Sequence, residues 1–124
     1  MAESETIRNP ERIRALAHPT RLALLDHLEQ VGEATATEFA AAVGESVATC
    51  SFHLHTLEKY HFIEPAPRRG RERPWRSTVA TSLDVRPSES VPGSRRAVAE
   101  LAGIQVLRQA DRLRAFLATM PSES

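Results

Sequence analysis

Apolar residues recur at helical spacing in five stretches of this chain, separated by segments where the period shortens or disappears. The clearest is Ser46 to Tyr60. At about 100° per residue, Val47, Cys50, Leu54 and Leu57 share one narrow face. The opposite side carries Ala48, Phe52, His55, Thr56 and Lys59. A helix that only meets water usually alternates Glu and Lys, whereas this one offers small, hydroxyl, aromatic and imidazole groups. It is shaped to lie against another surface.

The remaining pattern places that helix. Asn9-Pro10 predicts a helix start, an Asn cap followed by Pro where its missing N–H costs nothing, with Ile13, Leu16 and Ala17 inward. Pro19 restarts the chain, and Leu22, Leu25 and Leu28 form the next stripe, terminated at Gly32. Thr35 and Glu38 have capping-box spacing and open a short helix with Phe39, Ala40 and Val43 inward, closed by Gly44. Two short helices joined by Gly44-Glu45-Ser46 make a helix-turn-helix, whose second helix is the one that enters a DNA groove.

After Tyr60 the runs at 62–65 and 75–79 read as strands, joined by a long, flexible basic loop with Gly70 at its middle. Residues 83–93, rich in Pro and Ser, read as a linker. A last helix over 94–120 carries Val98, Leu101, Val106, Ala110, Leu113, Leu117 and Met120 at near-helical spacing. The expected organisation is a flexible tail at 1–8, a domain at 9–82, the linker, and a helix at 94–120. The fold class is mostly α with a small β-hairpin (α+β).

Composition alters this picture little: 41% hydrophobic and 26% charged is ordinary for a globular chain. No apolar run is long enough for a transmembrane helix, and the acidic N-terminus is no secretory signal. One cysteine, Cys50, excludes an internal disulfide and fits a cytoplasmic protein. Net charge is zero, yet it is unevenly spread: Arg68, Arg69, Arg71, Arg73 and Arg76 face only Glu64 and Glu72 within 62–76. Local fields steer partners, so this excess matters more than the sum.

Residues 11–79 resemble the ArsR-type winged helix-turn-helix transcription regulators of bacteria. The matching residues are Ala15 to Leu25 around Ala17-His18-Pro19-Thr20-Arg21, then Ala34 to Ala40, Ser51-Phe52-His53-Leu54 with Leu57-Glu58, and Gly70-Arg71-Glu72-Arg73. The resemblance implies a homodimer that binds a near-palindromic double-stranded operator, commonly as a repressor. It also implies that the first and last helices, here through Ile13, Leu101, Val106, Leu113 and Leu117, supply the dimer interface. Arsenic-sensing members carry a Cys-x-Cys pair where this chain has Thr35 and Thr37, and no His or Cys follows His61. No metal or cofactor is therefore expected, and no effector is specified.

On these grounds the DNA-facing candidates are Ser46, Ala48, Thr49, Ser51, Phe52, His55, Thr56 and Lys59 on the helix. On the wing they are Arg68, Arg69, Arg71, Arg73 and Arg76, gripping backbone or minor groove. Hydroxyls reach phosphates or base edges, Phe can touch a thymine methyl, and the planar guanidinium forks onto phosphate. Lys59, Arg21 and Arg76 could add phosphate contacts, with Arg21 equally suited to a carboxylate. Arg108, Arg112 and Arg114 are expected on the solvated side of the last helix. His53 is expected to pack between helices, Cys50 to fill core and Trp75 to seat the wing. No Ser-His-Asp order, phosphate-binding Gly loop or carboxylate pair marks an enzyme. Two other readings stay open: a winged protein–protein module without DNA binding, and a thiol-responsive regulator acting through Cys50.

Overall fold

The computed structural model describes residues 4–7, 9–78, 82–85 and 93–120. The described residues form, in order, β1 (Ser4–Ile7), α1 (Pro10–Leu16), α2 (Pro19–Val31), β2 (Glu33–Ala34), α3 (Ala36–Val43), α4 (Val47–Lys59), β3 (Ile63–Pro65), β4 (Trp75–Ser77), β5 (Ser82–Val85) and α5 (Ser94–Thr119).

The caps set the helix boundaries. Asn9 accepts from the N–H groups of Glu11 and Arg12, at 2.8 and 3.3 Å. His18 caps α2 by accepting the Thr20 N–H at Nδ1, 3.2 Å away. At α3 the capping box is complete: Thr35 N–H donates to Glu38 Oε1 at 2.9 Å, and Glu38 N–H to Thr35 Oγ1 at 3.2 Å. Gly44 ends α3 in the left-handed region (φ 75°), which permits so short a turn into α4.

Ile13, Leu16, Leu24, Leu28, Phe39, Cys50, Leu54, Leu57 and Phe62 are fully buried and form one core with Trp75, Ala97 and Leu101. The wing is an antiparallel sheet of order β2-β4-β3. The strand β2 extends the expected hairpin: Glu33 pairs with Arg76 and Ala34 with Trp75. Two residues are too few for a visible alternation, yet Ala34 is buried at that pairing.

Several expectations are corrected. Within the supposed tail, Ser4–Ile7 pairs in parallel with Ser82–Val85, which also shortens the supposed linker at 83–93, because two extended segments satisfy each other's backbone groups. The second wing strand ends at Ser77, and Val79, expected to continue it, lies outside the described residues. The loop between β3 and β4 is not a long open arm. Arg69 and Glu72 exchange backbone hydrogen bonds of 3.0 and 3.1 Å, so Gly70 (φ 64°) and Arg71 form the tip.

Helix α5 is the expected long rod, and its first turns pack on α1 and the core, burying Ser94, Ala97 and Leu101 and half-burying Val98 and Ile104. Arg108 and Arg112, expected on its solvated side, both reach Asp26 Oδ2 of α2 at 2.5 Å. They brace the rod against its own domain.

Candidate nucleic-acid interface

The turn between α3 and α4 delivers the exposed face of α4 to the surface. Ser46 caps the helix: its hydroxyl accepts the Thr49 N–H at 3.0 Å and donates to the Thr49 hydroxyl at 2.9 Å. The far end is tied down by Arg12, whose Nε donates to the Tyr60 carbonyl at 3.0 Å while its guanidinium lies 4.6 Å from the Phe62 ring centre. Cys50, His53, Leu54 and Leu57 face the core.

The remaining positions of α4 are open. Phe52 is 64% exposed; Ala48, His55 and Lys59 are exposed, and Thr49, Ser51 and Thr56 half-buried. Val47, expected inward, is 46% exposed, because the core beneath α4 begins one turn later, at Cys50. The Thr56 hydroxyl donates back to the Phe52 carbonyl at 3.2 Å, so it, like the Ser46 hydroxyl, is used within the helix.

Behind this face lies a cluster the sequence did not reveal. Arg21 Nε donates to His53 Nδ1 at 3.2 Å, and Arg21 Nη1 donates to the Ala15 carbonyl at 3.3 Å. The His18 and His53 rings stand 4.4 Å apart, centre to centre. Arg21 is thus engaged inside the protein, with no carboxylate partner among the described residues. Burial lowers the pKa of both imidazoles, and each is lowered further by its charged neighbours, Arg21 for His18 and both His18 and Arg21 for His53. The bonds agree, since each Nδ1 acts as an acceptor and needs a free lone pair. A signal existed in His18-Pro19, where only the His can cap the helix Pro19 opens.

The wing adjoins α4. The His55 ring meets Trp75 edge-on at 5.4 Å, and Trp75 seats the sheet on the core. Its tip is anchored to the start of α3: Thr37 donates to Glu72 at 3.1 Å and Arg69 to Glu38 at 2.6 Å. The Glu38 carboxyl titrates below its usual range, first because of the Thr35 N–H and then because of Arg69. Arg76 donates to Glu64 at 2.7 Å. Of the five expected wing arginines, Arg69 and Arg76 are therefore paired, whereas Arg68, Arg71 and Arg73 are exposed with no carboxylate partner among the described residues.

The Cys50 thiol is fully buried, and burial pushes its pKa up, with Glu45 adding to the shift. That environment disfavours the thiolate a redox switch needs. No group of three or more His, Cys, Asp or Glu among the described residues is placed to hold a metal ion. No helix among them is long and apolar enough to cross a membrane.

The five residues expected at a dimer interface separate into two sets. Ile13 is fully buried and Leu101 nearly so, both within the protein's own core where α5 crosses α1. Ile13 is corrected: it has no surface left for a partner. Val106, Leu113 and Leu117 are 67%, 58% and 55% exposed.

A family model for a helix-turn-helix domain matches residues 16–66. No curated protein matches the chain. Among solved structures it is similar to the homodimeric winged helix-turn-helix DNA-binding domain of a possible ArsR-family transcriptional regulator from Mycobacterium bovis. That likeness is 26% identity over 79% of this chain and 76% of the other, with a TM-score of 0.49. It is also similar to an ArsR family transcriptional regulator at 29% identity, over 88% of this chain and 97% of that one, with a TM-score of 0.47. A third likeness is to NolR from Sinorhizobium fredii, at 24% identity over 73% and 76% of the two chains and a TM-score of 0.47. The helix-turn-helix domain model thus matches residues 16–66, and with the three-stranded sheet beside them the described residues have a winged helix-turn-helix fold.

Proposed function

We propose that this protein is a sequence-specific, double-stranded-DNA-binding transcription regulator that works as a homodimer and performs no chemistry. Helix α4 enters the major groove, and Arg68, Arg71 and Arg73 of the wing hold the backbone or the adjacent minor groove. One observation carries the reading: the exposed, largely uncharged face of α4 adjoins a wing whose arginines at 68, 71 and 73 have no carboxylate partner among the described residues. Phosphate contact supplies affinity and the helix face supplies sequence choice.

The outward side of α5 supports the pairing of two copies. Val106, Leu113 and Leu117 lie within about 40° of one another on the helix, opposite the side that packs on α1, and the exposed Met120 follows at its end. Repression is the regulatory outcome we assign, following the resemblance to ArsR-type regulators.

Selection of bound duplexes from a random pool tests the reading. The expected product is a two-fold symmetric motif with half-sites about one helical turn apart. A pool with no enriched motif would leave a winged module for protein partners instead.

A further inference from the structure

Resting on that reading, we infer that α4 selects its half-site by apolar contact with thymine methyl groups, made by Phe52 and Val47. From Ser46 to Glu58 the helix has no Arg, Lys, Asn or Gln. The bidentate pairs that read guanine with Arg and adenine with Asn or Gln are therefore unavailable along this stretch. Of the hydroxyls, those of Ser46 and Thr56 already donate to groups of this segment, which leaves Thr49 and Ser51 as single-point donors that cannot make a bidentate pair.

Beside His55, α4 offers outward apolar surface: Phe52 at 64% exposure with Ala48 next to it on the wheel, and Val47 at 46% on the edge of the first turn. The floor of the major groove is otherwise polar. Its apolar feature is the thymine 5-methyl. A phenyl ring set against any other base edge would desolvate donors or acceptors without replacing their partners.

Phe52 also has a ring neighbour on one side. Its ring meets the His53 ring edge-on at 5.3 Å, and His53 is fixed in turn by Arg21. A ring so positioned loses less freedom on binding than a mobile side chain would.

The test takes a duplex selected from the random pool and replaces individual thymidines with deoxyuridine, which removes the methyl and keeps every hydrogen-bonding group. The wild-type protein should bind about fourfold more weakly for each contacted methyl lost, the effect of one buried methyl-sized group. Phe52→Ala should bind the thymidine and deoxyuridine duplexes equally at the position Phe52 reads, and Phe52→Leu should keep part of the preference. Phe52 is mostly exposed, so both variants retain the core.

Equal binding of both duplexes by the wild type overturns the inference while DNA recognition stands. A preference that survives unchanged in both Phe52→Ala and Val47→Ala also overturns it. Failure to bind either duplex removes the DNA reading itself.

Discussion

Arg21 Nε and His53 Nδ1 lie 3.2 Å apart, and that bond joins the first turn of α2 to the buried side of the helix we assign to the groove. It exists only while the imidazole is neutral at Nδ1. Because the pKa values of His18 and His53 are both lowered, the folded chain binds fewer protons than the unfolded chain in the interval below the ordinary histidine value. Stability from this pair is full above about pH 6.5 and declines as pH falls through that value toward the folded-state pKa. The thermal midpoint should therefore drop on acidification from about pH 7.5 to about pH 5. His53→Gln keeps an acceptor for Arg21 and cannot titrate, so it should flatten the dependence. An undiminished slope in that variant would acquit His53.

The wing arginines should differ among themselves. Arg71→Ala and Arg73→Ala should weaken binding to all sequences alike and reduce the salt slope by about one each. Arg69→Ala and Arg76→Ala should change the slope less, since Glu38 and Glu64 already engage those side chains. Binding isotherms at several salt concentrations measure this directly, and equal effects at all four positions would contradict it.

Cys50 should resist modification. A thiol with no exposed surface reacts only when the chain opens, so labelling in buffer should be slow and should accelerate in step with denaturant unfolding. Rapid labelling of the native protein, with loss of DNA binding, would revive the thiol-switch reading.

Much of this was legible in the sequence because it depends on local rules. Asn9-Pro10, the Thr35–Glu38 box, Gly44 and Ser46 each fix a boundary through bonds to residues two to four positions away, and all stand as capping geometry. The inward set Cys50, Leu54 and Leu57 follows from the period of the helix alone. What escaped depends on distant partners. Val47 fits the same stripe, yet among the described residues the first turn is left half open. Arg21, Arg69 and Arg108 look alike as free cations in a sequence, and only the fold brings His53, Glu38 and Asp26 to them. Spacing alone puts Ile13 inward, where it is found; only the resemblance gives it a dimer-interface role, and the crossing of α5 over α1 leaves it fully buried.

That difference separates two kinds of interface variant. Leu113→Asp with Leu117→Asp should convert a dimer to a monomer in sedimentation while leaving the thermal unfolding of the winged domain intact. Ile13→Ala should instead destabilise the fold by about 2–5 kcal/mol, the cost of a large-to-small change in a closed core. A still-dimeric double aspartate variant would move the proposed interface off α5.

The account as a whole is tested most directly by titrating the labelled protein with its selected duplex and following each backbone amide by NMR. Shifts concentrated at residues 46–59 and 68–73, with Phe52 among the largest, are the predicted result. Shifts confined to the outer side of α5, with the α4 face unmoved, would contradict it.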